Sequence, residues 1–429
     1  MPVRFTVSRE AQRRYAVQQR FLIVGASLAG ATAALELRAR GFDGKIALVG
    51  SESELPYERP PLSKDYLRGA AEREAAFLNE GDVYAEQQIE LLLGTTVERI
   101  DAGVGRVTLA GGGELEFDRL LLATGAQPRR LQIPGAELES VYYLRTLSDC
   151  DALRERLQAG ARAVVVGAGW IGSEVAASAR ERGVEVAMID PNKLPNERVF
   201  GPEIGEFYRD VHARHGVELL LGERVEALEG AVSVERVRTA SGRVVECDFA
   251  VVGIGVVPRI ELAEAAGLEI ENGIAVDARL QSSAENVFAA GDVANAWHPL
   301  YERRLRTEHW YNALHQGPAA ARGMLGESGG YERIPYFFSD QYDIGMEYSG
   351  YASEWDEVVL RGDRDRGEFI AFWLKDGSVL AGMNVNVWDV NEHVRTLIRA
   401  RRQVEAAALR DEDVSLESLA AELAGASEA

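Results

Sequence analysis

Two short glycine clusters hold the residue types best suited to chemistry in this chain. Gly25-Ala26-Ser27-Leu28-Ala29-Gly30 follows four apolar, strand-favouring residues. Gly167-Ala168-Gly169-Trp170-Ile171-Gly172 follows Ala163-Val164-Val165-Val166. A glycine turn between a strand and a helix exposes free N–H groups at the positive end of the helix dipole, where a pyrophosphate can sit. Beyond each helix a second apolar segment ends in an acid, Glu52 (after Ser51) in the first copy and Asp190 in the second. Each acid is placed to accept hydrogen bonds from a ribose. In the first cluster Gly25 permits the tight turn and Gly30 lets the helix pack on the strand, but the middle glycine is Ser27. The second has all three glycines, with Glu174 just behind them. One such turn reads equally well as an ordinary βαβ connection.

Recurrence decides between these readings. Asp118…Ala123-Thr124-Gly125…Arg129 is echoed by Asp248…Gly253-Ile254-Gly255…Arg259, each after an apolar strand. Two copies of one plan, offset by roughly 130–140 positions, imply two related nucleotide domains. The expected fold class is therefore α/β, with two Rossmann-like dinucleotide-binding domains and a small C-terminal α/β domain. Residues 285–293 read as a buried strand ending at Gly291-Asp292, whose natural place is back in the first domain. That divides the chain into an arm (1–20), a discontinuous first domain (21–126 and 250–328), a second domain (127–249), a C-terminal domain (329–410) and an acidic tail (411–429). In the C-terminal domain aromatic strands precede a helix over 389–402, with Asp389 as its N-cap. The linker 126–134 reads as a domain crossing.

Composition narrows the classes of function. The 429 residues carry a net charge of −21, which argues against general nucleic-acid binding. No apolar run approaches the roughly 18 residues of a membrane span. Five arginines precede residue 21 without a secretory apolar core. Only Cys150 and Cys247 occur, far apart in sequence, which suits a reducing, cytoplasmic compartment and leaves no C-x-x-C dithiol. His212 and His215 form H-x-x-H with no third ligand nearby, and read as a solvated helix face. Asp149 and Asp151 read as helix caps.

Together these segments resemble the NAD(P)H-dependent ferredoxin reductases of cytochrome P450 and aromatic-ring dioxygenase systems, within the two-dinucleotide-binding-domain flavoproteins. The resemblance rests on L-P-Y-x-R-P-P-L-S-K (55–64), A-T-G-A-x-P-R (123–129), Y-L-R-T (143–146), G-A-G-x-I-G-x-E (167–174) and A-A-G-D-V-A (289–294). R-x-E-x-W-x-N-A (306–313) and F-S-D-Q (338–341) complete it. It covers residues 21–405, with Ser27 and Phe338, where tryptophan is common, as departures.

The resemblance implies FAD and NADH as cofactors. FAD would be held by Gly25, Ala29, Gly30, Ser51, Glu52, Arg59, Lys64, Val97, Ala123, Thr124, Gly125, Arg145, Asp292 and Trp310. NADH would lie against Gly167, Gly169, Ile171, Gly172, Glu174, Asp190, Arg198 and Gly255. Lys64, Glu174 and Trp310 would serve the chemistry, with Lys64 and Glu174 meeting beside the flavin N5. A transient [2Fe–2S] ferredoxin is the implied partner. Candidate basic docking residues are Arg303, Arg304 and Arg306 beside Trp310, and Arg395, Arg399 and Arg402 on one face of the 389–402 helix. The other readings are an NADH oxidase or quinone reductase, and an apoptosis-inducing-factor-like binding flavoprotein.

Overall fold

A computed structural model describes residues 19–425, so most of the arginine-rich arm and the last residues of the acidic tail lie outside the described residues. Two parallel five-stranded sheets dominate the fold. In the first, strand Arg20–Val24 lies between Lys45–Val49 and Arg119–Leu122, with Ile89–Leu92 and Val287–Ala289 at the edges. In the second, Arg162–Val166 lies between Glu185–Asp190 and Phe249–Val252, with Glu218–Leu221 and Val141–Tyr142 at the edges. Both central strands are buried along nearly their whole length, as expected for parallel sheets covered on both faces. The edge strand Val287–Ala289 arrives from beyond the second sheet, so the chain returns to the first.

The sequence repeat is reproduced down to single hydrogen bonds. Asp118 Oδ2 accepts from the Arg20 N–H, and Asp248 Oδ2 accepts from the Arg162 N–H at 2.8 Å. Each aspartate thus pins the start of the central strand beside it. The two passages between the sheets, Ala126–Pro128 and Val256–Pro258, pair with each other as an antiparallel ribbon.

The third unit is a five-stranded antiparallel sheet spanning Tyr336–Gln341, Ile344–Gly350, Glu357–Asp363, Glu368–Lys375 and Ser378–Val385. One face packs on Phe200, Ile204, Phe207, Tyr208 and Val211 of the second unit. The other packs on Val394, Leu397 and Ile398 of helix Asn391–Ala400, and on Leu416 and Ala420. Within the acidic tail, residues 411–425 join this core. Helix Leu416–Gly425 buries an apolar stripe in this core, and Arg361 donates to the carbonyls of Leu409, Asp411, Glu412 and Val414.

The capping expectation for Asp149 holds, and those for Asp389 and Asp151 change. Helix Asn391–Ala400 starts after Val390, and Asp389 sits at φ +63° outside it. Thr146 caps Leu147–Arg154 in a capping box with Asp149, whereas Asp151 lies inside the helix and accepts from the Tyr66 hydroxyl. His212 is fully buried rather than solvated. Its Nδ1 lies 3.2 Å from the Tyr342 hydroxyl, and His215 stacks on the Tyr342 ring at 3.7 Å. No cluster of three or more His, Cys, Asp or Glu that could hold a metal occurs among the described residues.

Candidate functional site

Both glycine turns have the same tight geometry. Gly25 has φ +121°, and a Cβ there would lie 2.1 Å from the Ala123 carbonyl oxygen. A Cβ on Gly30 would lie 2.0 Å from the Gly25 carbonyl oxygen. In the second turn the same probes at Gly167 and Gly172 meet Gly253 O at 2.4 Å and Gly167 O at 1.9 Å. Only glycine fits these four positions. Ser27 and Gly169 are different: both are extended N-cap residues, and a Cβ at Gly169 meets nothing within 4 Å. The backbone therefore tolerates the serine. Ala29 is buried in the first helix, while Ile171 is an exposed apolar residue on the second.

Near the first turn, charged side chains converge from distant segments. Arg145 Nη2 donates to Asp292 Oδ2 at 2.7 Å. Arg59 donates to the Arg145 carbonyl and, at 3.4 Å, to Glu52, which also accepts from the Tyr57 hydroxyl at 2.5 Å. Burial, with Arg59 alongside, pulls the Arg145 guanidinium below its ordinary value. Ser51 is exposed, Val97 opens strand Val97–Asp101, and Thr124 Oγ1 donates to the Arg259 carbonyl at 2.9 Å. Gly125 at φ +69° lies against Arg145.

The loop carrying Lys64 packs against the second unit. Tyr57, Leu62, Tyr66 and Leu67 share a core with Leu147, Cys150, Val165 and Val175. This places Lys64 Nζ 3.0 Å from Glu174 Oε1, with their side chains 12% and 5% exposed. Glu174, one turn into helix Trp170–Glu181, also accepts from Ser63 Oγ at 2.5 Å and from Ser339 Oγ at 2.7 Å. Three separate parts of the chain thus meet on one carboxylate. Ser63 and Ser339 were not singled out in the sequence. They sit inside the quoted L-S-K and F-S-D-Q motifs, but nothing local marks them as carboxylate ligands.

Trp310 begins helix Trp310–Met324 and meets Phe338 edge-on at 6.0 Å, while Lys64 Nζ lies 5.2 Å over the Phe338 ring. Trp310 Nε1 is buried with no protein partner. An orphaned buried donor on a helix whose Gly317 packs against Ala29 of the first cradle fits a bound group that supplies the acceptor.

Asp190 is more enclosed than a free ribose acceptor. Its Oδ2 accepts from the Ala168 N–H at 2.7 Å, and its Oδ1 accepts from the Asn192 N–H and Nδ2 at 2.7 Å each. The carboxylate holds the glycine turn. Arg198 Nε donates to Asn192 Oδ1 at 3.1 Å. Gly255 has φ +95° where the second sheet leads into the crossing ribbon.

The chain matches the pyridine nucleotide-disulphide oxidoreductase family over residues 19–317 and the reductase C-terminal family over 336–420. It belongs to the pyridine nucleotide-disulphide oxidoreductases. Putidaredoxin reductase CamA of Pseudomonas putida is 38% identical over 406 residues, covering 93% of this chain and 96% of the relative. The anthranilate 1,2-dioxygenase system ferredoxin–NAD(+) reductase component of Burkholderia cepacia is 38% identical over 392 residues, covering 91% and 95%. A chain of the covalent putidaredoxin reductase–putidaredoxin complex superposes with a TM-score of 0.91 at 37% identity, covering 96% of this chain and 99% of that one. This oxidoreductase uses FAD and NADH, and the paired glycine cradles fit two dinucleotides.

The oxidoreductase's two cysteines are both free and buried. Cys150 Sγ donates to the Leu62 carbonyl at 3.2 Å, and burial pushes both thiols up to about 12. Neither is a redox thiol. No described helix is long and apolar enough to cross a membrane.

Proposed function

We propose that this protein is an FAD-dependent ferredoxin–NAD(+) reductase serving a P450 or ring-hydroxylating oxygenase through a [2Fe–2S] ferredoxin. The observation carrying this reading is that the cleft has no dithiol to receive electrons, which directs them outward to a one-electron carrier. Bound FAD supplies the hydride acceptor and the single-electron donor. Gly25, Ala29, Gly30, Ser51, Glu52, Val97, Ala123, Thr124 and Gly125 seat its nucleotide half. Arg59, Arg145 and Asp292 fix its linker, while Lys64 and Trp310 line its ring. Gly167, Gly169, Ile171, Gly172, Asp190, Arg198 and Gly255 hold NADH. Glu174 orients Lys64 and shields that charge from water.

We place the docking surface on a different set of arginines from the one expected from sequence. Arg306 is tied to Glu308, with its side chain 10% exposed, and Arg304 Nε lies 3.7 Å from Glu271. Arg395 is sandwiched over Tyr311 and Tyr336 and bonded to Glu392. Arg402 lies beyond the end of helix Asn391–Ala400 rather than on its face. Arg303 and Arg399 remain exposed, and they are joined by exposed Arg333, whose Nη1 donates to the Tyr311 hydroxyl at 3.0 Å next to Trp310. We assign ferredoxin docking to Arg303, Arg333 and Arg399. A cytoplasmic location accords with two unpaired buried thiols.

Cytochrome c reduction by NADH that requires added [2Fe–2S] ferredoxin tests the assignment. Fast reduction of quinone or oxygen, with no response to ferredoxin, would instead identify a quinone reductase or NADH oxidase.

A further inference from the structure

We propose that His309 takes up a proton from solvent when the flavin is reduced, balancing the negative charge placed on the ring. The inference rests on reading the cleft around Lys64, Asp292 and Trp310 as the flavin site.

Two consecutive residues here pair with two consecutive residues of strand Tyr336–Gln341. Trp310 meets Phe338 edge-on, and His309 stacks on Phe337 with centroids 4.3 Å apart at 16°. Successive side chains of a strand point to opposite faces, so the imidazole backs the wall formed by Trp310, Phe338 and Lys64 rather than lining it. Phe337 in turn abuts Trp170, the first residue of the helix that carries Glu174. The ring of His309 lies within the fields of both Lys64 and Asp292, and its nitrogens have no hydrogen bond among the described residues.

All but one of the charged neighbours are already committed. Lys64 is paired with Glu174, and Asp292 with Arg145. On the histidine's own segment Glu308 is paired with Arg306. On the facing strand, burial raises the Asp340 carboxyl, and Lys64 lies close enough to oppose that shift. Among the described residues His309 is the uncommitted imidazole beside this wall and Asp340 the uncommitted carboxyl. Before reduction the ring is neutral, because burial holds it down at about 4.

Hydride transfer from NADH to FAD converts a neutral ring into an anion and exchanges no proton with solvent. An imidazole behind that wall, within the reach of its charges, then gains affinity for a proton. The balanced step is NADH, FAD, neutral His309 and one solvent proton giving NAD(+), the anionic two-electron-reduced flavin and His309 imidazolium. His309 is a positioning and charge-balancing residue, since the hydride does not pass through it.

The test uses FAD-loaded full-length protein, with bound flavin confirmed first by its absorbance. Stoichiometric NADH is added anaerobically in weak buffer with an indicator dye, from about pH 5 to 6.5, around the ordinary histidine value. Wild type should consume one proton per flavin and His309→Asn none. Potentiometry gives a second readout. One proton per two electrons corresponds to about 30 mV per pH unit and two protons to about 59 mV. Wild type should follow the steeper slope and His309→Asn the shallower. His309→Gln, closer in size to the imidazole, replaces Asn if that variant binds flavin weakly. No proton uptake by wild type overturns the proposal. Equal uptake by wild type and variant also overturns it, placing the proton on the flavin or on Asp340. A preparation that cannot be loaded with flavin would overturn the reading of the cleft instead.

Discussion

Glu174 Oε1 receives Lys64 Nζ at 3.0 Å, and the same carboxylate accepts the hydroxyls of Ser63 and Ser339. Breaking a buried pair by removing one partner strands the other charge, at a cost of roughly 3–5 kcal/mol. Glu174→Gln should therefore lower the melting temperature and slow flavin reduction by about tenfold or more in stopped flow. Replacing both charges, with Lys64→Met and Glu174→Gln together, should recover much of the stability but not the rate. Full recovery of both would make the pair purely structural.

Asp190 should favour NADH over NADPH, because its carboxylate is already filled by Ala168 and Asn192 and leaves a fixed negative charge where a 2′-phosphate would sit. Asp190→Ser should narrow the ratio of kcat/KM for the two cofactors. It should also raise KM for NADH, because the turn loses a buried acceptor. Equal kcat/KM values in the wild type would remove this residue from cofactor choice.

Docking on exposed arginines predicts a ferredoxin KM that rises with salt, since such charges are screened within about 8–10 Å at physiological ionic strength. Reversing Arg333 and Arg399 to Glu should raise that KM further and leave NADH–ferricyanide activity intact. Arg306→Ala should instead lower thermal stability, because that side chain serves Glu308 and the Asp292 carbonyl. If the charge reversals leave ferredoxin KM unchanged, docking lies elsewhere.

His212 ties the second unit to the third and makes the joint acid-sensitive. Burial opposes its imidazolium and holds the group at about 4, so the unfolded chain binds this proton first, near 6.5. Its contribution is complete above about pH 6.5 and is lost as pH falls toward 4, an effect on the order of 3 kcal/mol. His298, His309 and His315 are shifted in the same direction. Thermal melts should fall across that window. His212→Gln should flatten part of the decline, whereas an unaltered pH profile would assign it to the other histidines.

Local chemistry made much of this protein legible from its sequence. Glycines at 25, 30, 167 and 172 are needed by backbone contacts within one βαβ unit, so their spacing alone announces the turn. The internal repeat likewise exposed two related sheets, because Asp118 and Asp248 each serve a strand in their own copy. Tertiary structure decided what depends on partners far apart in the chain. The burial of His212 follows from Tyr342, 130 residues away, and the helix at 416–425 is anchored by an apolar stripe that the acidic composition hides. Arg306 and Arg395 looked like free charges until the fold brought the Asp292 carbonyl to the first and the rings of Tyr311 and Tyr336 to the second. Ser63 and Ser339 gained a role only when 165 residues of separation between Glu174 and Ser339 closed to a hydrogen bond. Sequence spacing reports contacts along a turn or a strand, whereas burial and charge pairing are set by which surfaces the units press together.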